Sequence, residues 1–173
     1  MRYFFISDEH FAHDNIRIYC KRPFQTVQEM DEAIIANYNS VVGPDDTVIH
    51  VGDFVFGKKP AAEAYIKRLK GKHIFIRGNH DKWMENSNNY MMEFTIEGMR
   101  IVACHYAMRV WNRSHFNSCA VFGHTHGRLP PVGKQWDVGV DNNNFFPVSF
   151  EQLKAIMDKQ PDNPNFIKER DRR

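Results

Sequence analysis

Short apolar runs bounded by polar residues or glycine recur along the chain at residues 3–7, 47–51, 73–77, 100–104, 119–122 and 136–140. Runs of this length read as strands, and the segment 92–103 reads as two of them joined in a hairpin near Glu97-Gly98. Helical periodicity appears between them. Thr26 and Glu29 have the spacing of a capping box, and Val27, Met30, Ile34, Tyr38 and Val41 fall on one face of the helix that follows. A second helix is predicted to start near Pro60, a favourable first-turn residue, and to stop at Gly71. A third starts around Ser149 and buries Phe150, Leu153, Ile156 and Met157. Strands that alternate with helices predict a layered α/β architecture in one domain over 1–173, with a polar tail from about 161.

Composition narrows the class. Hydrophobic residues at 42% and charged residues at 25% fit an ordinary globular protein. A net charge of +2 gives no argument for nucleic acid as a partner. Cys20, Cys104 and Cys119 are too few and too irregularly spaced for a disulfide framework or a thiolate metal site. No apolar run approaches the roughly 18 residues of a membrane span. Tyr3-Phe4-Phe5-Ile6 runs straight into Asp8-Glu9, which is not a signal-peptide layout, so a cytoplasmic protein is expected. Oligomeric state is not readable. The unusual feature is nine histidines.

Their positions carry the argument. Asp8 and His10 follow the first predicted strand, Asp53 the second, and Asn79, His80 and Asp81 the third. His105 follows 100–104, and His124 and His126 follow 119–122. In α/β sheets the carboxyl ends of strands form the crevice where ligands bind, so residues distant in sequence are expected to meet there. Aspartate oxygens, an amide oxygen and imidazole nitrogens suit divalent manganese, iron or zinc. The i, i+2 spacing of Asp8 with His10 and of His124 with His126 puts each pair on one side of an extended backbone, with Glu9 and Thr125 pointing away. The ligand types outnumber what one ion needs, and a carboxylate such as Asp53 can bridge two. Gly52, Gly78 and Gly123 each precede a ligand cluster, where the chain must turn sharply or approach an anion closely.

Taken singly, these motifs have plainer readings. Asp-x-His occurs in surface loops, Gly-Asp is more often a turn, and Gly-Asn-His-Asp could be a turn followed by a helix cap. Their order, each at a strand end, is what chance does not supply. His50, His73 and His115 sit within or before strands and read as satisfied core or surface histidines.

The ordered set Asp8-Glu9-His10, Gly52-Asp53, Gly78-Asn79-His80-Asp81, His105 and Gly123-His124-Thr125-His126 resembles the calcineurin-like metallophosphoesterase superfamily. Ser7-Asp8-Glu9-His10-Phe11, Arg22-Pro23-Phe24 and Asp137-Val138-Gly139-Val140-Asp141 are similar to its small single-domain bacterial and phage members. The resemblance implies a four-layer α/β/β/α sandwich with two metals at the carboxyl edge of its sheets. One metal would be held by Asp8, His10, Asp53 and His126, the other by Asp53, Asn79, His105 and His124. His80 would stand near the leaving group, and Asp81 would orient it. Phe54-Val55-Phe56 after Asp53, and Asp81 at the end of the third motif, depart from the protein phosphatases of the superfamily and argue against that activity. Cys104 stands before His105 and is expected to face away from the metals.

The implied chemistry is hydrolysis of a phosphate ester by a hydroxide bridging two divalent ions, with manganese favoured and iron, zinc, nickel or cobalt alternatives. A phosphodiesterase acting on nucleotides or other small diesters is the first reading. A phosphomonoesterase or a single-strand nuclease is the second, and an inactive binding scaffold on the same fold is a third of another class. His13, Asn15 and Arg22 are candidate substrate contacts, while Arg17 reads as a solvated residue. Arg109, Trp111 and Arg113 could clamp a nucleotide. A half-buried tryptophan with flanking surface arginines explains them equally well.

Overall fold

The computed structural model describes residues 1–168. Its strands are β1 (Tyr3–Ile6), β2 (Thr47–Val51), β3 (Lys72–Ile76), β4 (Met91–Ile96), β5 (Met99–Cys104), β6 (Cys119–Phe122), β7 (Gln135–Asp137) and β8 (Val148–Ser149). The helices are α1 (Asp14–Tyr19), α2 (Val27–Val41), α3 (Lys59–Ile66) and α4 (Phe150–Lys159). One sheet has the order β3-β2-β1-β8, with β1, β2 and β3 parallel and β8 antiparallel to β1. The other has the order β4-β5-β6-β7, with β4 antiparallel to β5 and the rest parallel.

The strand sequences explain these places. Every residue of β2, Thr-Val-Ile-His-Val, is buried, as a central parallel strand covered on both faces requires. Along β4 burial alternates, so Met92, Phe94 and Ile96 turn inward while Met91, Glu93 and Thr95 face out. Phe5, Ile49, Val51 and Ile76 of the first sheet pack on Ile101, Ala103 and Val121 of the second. Phe150, Leu153 and Met157 of α4 join the same core. The opposite face of the first sheet, with Phe4, Ile6 and Val48, is covered by Met30, Ile34 and Tyr38 of α2 and Ala62 of α3. The outer layer over the second sheet is thin: Trp111 packs on Val102 and Ala120, beside a 3-10 turn at Ser114–Phe116. Among the described residues no helix is long and apolar enough to cross a membrane.

Several elements differ from expectation for local reasons. Thr26 Oγ1 accepts from Glu29 N–H at 3.1 Å, but the Glu29 carboxylate reaches Gln25 N–H instead of Thr26, so only half of that capping box forms. The full box stands at α4, between Ser149 and Gln152. α3 ends at Ile66 rather than Gly71, because the next bonds, Arg68 to Tyr65 and Leu69 to Ile66, tighten the chain into a turn. The last predicted strand leaves its sheet after Asp137. Ser7 N–H then donates to Val138 and Val140 N–H to Ser7, so this segment ties the two sheets together. The short α1 and β8 have no counterpart among the predicted elements. Part of the predicted tail is docked: buried Asn163 donates to the carbonyls of Ser114 and Ser118. Residues 169–173 of that tail lie outside the described residues.

Candidate metal centre

The predicted ligands converge where the two sheets meet. Asp8, His10, Asp53, His124 and His126 all have left-handed backbones, with φ of 58°, 50°, 58°, 67° and 50°. The expected route, an extended chain with i and i+2 on one side, is therefore wrong for both Asp-x-His and His-x-His. The paired side chains meet because alternate residues take a conformation costing about 1–3 kcal/mol each, which only surrounding contacts can hold. Those contacts are present. Asp8 N–H donates to Gly52 O, His10 N–H to Asp53 O, and His124 N–H to the Asp8 carboxylate at 2.9 Å. The intervening residues do point away: Glu9 Oε1 lies 2.6 Å from buried His50 Nδ1, and Thr125 Oγ1 donates to Asp137. His50 continues to His73 and Tyr38, so both strand histidines belong to a buried polar chain rather than to the metal cluster. A Cβ at Gly78 would strike the Asp53 carboxylate, and one at Gly123 would strike Ser7 and Asp8. The glycines are needed for close approach.

Among the described residues three groups of ligand atoms form: Cys20 with His126 and Asp141, and the two that hold the predicted ligands, Asp8 with His10 and His126, and Asp53 with His105 and His124. Asp53 Oδ2 stands between the latter two, 3.5 Å from His10 Nε2 and 3.2 Å from His105 Nε2. Asn79 Oδ1 lies 3.2 Å from His105 Nε2. Burial pushes the Asp8 carboxyl up to about 7. Burial also opposes ionisation of Asp53, but the His105 hydrogen bond and the charges of His105 and His10 outweigh it and hold the group at about 2. His105 rises to about 9, since its bond to Asp53 and the Asp8 and Asp53 charges overcome burial. His126 rises to about 10 against burial through its bond to Asp141. Burial drives His10 well below its ordinary range.

The donor set fits divalent cations. His10 Nε2 is fully buried without a hydrogen-bond partner, although it faces the carboxylates of Asp53 and Asp8 at 3.5 and 3.9 Å. A buried imidazole nitrogen orphaned among carboxylate oxygens is what a cation would satisfy. Residues 1–135 match the calcineurin-like phosphoesterase superfamily domain. The chain belongs to this superfamily. An uncharacterized protein of Methanocaldococcus jannaschii, MJ1445, is 33% identical over 165 residues, covering 90% of this chain and 91% of its own. A protein of unknown function from Aquifex aeolicus, AQ665, has the same fold, with a TM-score of 0.68 at 24% identity, covering 90% of this chain and 98% of that one.

Within this phosphoesterase domain the remaining candidates separate. The His80 ring lies 5.2 Å from that of His10 and 5.6 Å from that of His13, at the edge of the cluster. His13 Nδ1 is 3.2 Å from His10 Nδ1, within hydrogen-bond distance. Asp81 does not orient His80. Its two buried oxygens accept from the N–H groups of Asp53, Gly78, Phe54 and the Trp83 indole at 2.7–2.9 Å. That fixes the turn carrying Asp53. Arg22 is likewise buried, not lining a substrate pocket. Nε and Nη2 donate to the Asp141 carboxylate, Nη2 also to Asp8 O, and Nη1 to Glu9 O and Met30 Sδ. All five guanidinium donors are used. Asp141 in turn stands 2.7 Å from His126 Nδ1, the carboxylate–imidazole pairing that orients a metal-binding histidine. Beyond the Asp137–Asp141 motif itself, nothing local in the sequence signals this Arg22–Asp141–His126 chain. Asn15 is exposed on α1, and Arg17 pairs with Asp14. Trp111 is buried with its indole donating to Ser118 O, and Arg109 and Arg113 are exposed, so no nucleotide clamp forms there. Cys104 is half-buried.

Proposed function

We propose that this domain is a two-metal hydrolase of phosphate esters, with diesters of nucleotides or similar small molecules as its preferred substrates. One observation carries the reading: Asp53 Oδ2 lies within 3.5 Å of imidazole nitrogens from both ligand groups, the place of a bridging carboxylate. Asp8, His10 and His126 would hold one ion, Asn79, His105 and His124 the other, and Asp53 both. When bound, such a pair would supply positive charge against the phosphoryl oxygens and lower the pKa of water so that hydroxide is available near neutral pH, with manganese the favoured ion for nitrogen and oxygen donors. The chain's own residues do the rest. Asp81 and Arg22 hold the ligand loops, Asp141 orients His126, and His13 orients His10. His80, beside His10 but outside both ligand groups, is placed to give a proton to the departing oxygen. An inactive scaffold would have no need of these aligned ligands or of the strained backbone beneath them.

Metal-stripped protein should be inert toward bis(p-nitrophenyl) phosphate and regain turnover with added manganese, with p-nitrophenyl phosphate the poorer substrate. Full turnover in chelator would end the two-metal reading, and a preference for the monoester would end the diester assignment.

A further inference from the structure

Beside the metal cluster lies a cleft of about 960 Å³, bounded by the segment 56–60 and the turn 82–87, with His80 in its wall. Pockets of this size are typical of small-ligand sites. Its cations are Lys58, Lys59, Arg77 and Lys82, and its acid is Glu85. That excess exceeds the +2 of the whole chain, so positive charge is concentrated here while most of the surface is balanced. Arg77 is committed to the turn, because Nη1 donates to Glu85 O, Ser87 O and the Tyr90 hydroxyl. Among the described residues Lys58, Lys59 and Lys82 are in no salt bridge. Aromatic surface accompanies them. Phe56 lays its ring on that of His13 at 4.4 Å and 12°, yet is 46% exposed and lines the cleft. Trp83 lines it too, pinned through its indole N–H to Asp81.

We propose that this cleft is a substrate subsite beside the metal cluster, and that it takes a nucleoside carrying a second phosphate. The assignment rests on the phosphoesterase reading above. Phe56 offers a flat apolar face to a base, an interaction worth about 1–3 kcal/mol in sequence-tolerant binding. The three unpaired lysines offer charge to a phosphate remote from the metals. The occupant is a small nucleotide. A long strand needs a basic track, and a chain of net charge +2 with Arg109 and Arg113 on another loop provides none.

The test uses the manganese-loaded full chain and three diesters that share a nitrophenolate leaving group. They are methyl p-nitrophenyl phosphate, thymidine 5′-(p-nitrophenyl phosphate), and the same nucleoside ester bearing a 3′-phosphate. KM should fall at each step, by about tenfold for the added phosphate, the scale of one charge-assisted hydrogen bond. The exposed triple variant Lys58→Gln/Lys59→Gln/Lys82→Gln should abolish the second fall and leave kcat and KM for the methyl ester unchanged. Replacing the three lysines by arginine should restore it. Equal KM for the two nucleoside esters, or a triple variant that binds the 3′-phosphate as well as the parent, overturns the subsite while methyl ester turnover keeps the phosphoesterase reading intact. A KM that keeps falling for a trinucleotide ester overturns the small-nucleotide assignment. No hydrolysis of any of the esters removes both readings together.

Discussion

Replacing Asp81 by asparagine separates two roles that sequence and structure assign to the same side chain. If Asp81 orients His80, Asp81→Asn should slow turnover and leave the fold alone. The structure gives it a different task. Each carboxylate oxygen accepts two N–H donors, Oδ2 from Asp53 and Gly78 and Oδ1 from Phe54 and the Trp83 indole, and the residue is 1% exposed. An amide keeps one oxygen and turns an NH₂ toward the other two donors. Each buried donor left without an acceptor costs about 1–3 kcal/mol, so the variant should lose about 2–6 kcal/mol of stability. At a urea slope of about 2 kcal/mol/M, the midpoint falls by about 1–3 M. Either orientation of the amide loosens the turn that positions Asp53, so metal affinity should fall in the same protein. Urea melts followed by tryptophan fluorescence, paired with metal content after dialysis, read both effects. A midpoint within about 0.3 M of the parent, with metal content intact and turnover reduced, would show that Asp81 acts through His80.

Asp53→Ala should lower metal stoichiometry further than His10→Ala or His124→Ala, because its Oδ2 faces both ligand groups; two ions retained would refute the bridge. His80→Ala should keep its metals, lose about 10²–10⁴-fold on alkyl esters and distinctly less on nitrophenyl esters, whose leaving group needs no proton. Equal losses on both esters would place His80 on the phosphoryl group instead. Metal binding near pH 7 should release protons, since His105 and His126 hold theirs up to about 9 and about 10 in the metal-free protein. Affinity therefore weakens as pH falls, and calorimetry in buffers of different ionisation enthalpy measures the protons released; no buffer dependence would contradict the assignment of both histidines as ligands.

The sequence made the ligands legible because their signal is positional. Each follows a short apolar run, and strand ends in an α/β sheet converge regardless of separation along the chain. The runs themselves became strands with errors of a residue or two, except where Val138–Val140 left its sheet to pair with Ser7. The supporting residues were harder to see. Arg22 reads as a phosphate-binding cation until its five acceptors are in view, and nothing local in Arg-Pro-Phe announces a partner 119 positions away. Asp81 adjoins His80 in sequence, which suggested a pair, yet its oxygens turn back to the Asp53 loop. The left-handed backbones at Asp8, His10, His124 and His126 leave no mark on the apolar periodicity, so the strand pattern could not reveal them. The cleft was invisible for another reason: Phe56, Lys58 and Lys82 come from two segments that only the fold brings together.

Anomalous diffraction from crystals of the manganese-soaked protein tests the central claim most directly. Two peaks are predicted, one against Asp8, His10 and His126 and one against Asn79, His105 and His124, with Asp53 contacting both. A single peak, or a peak held by the neighbouring Cys20, His126 and Asp141 group instead, would contradict the two-metal centre.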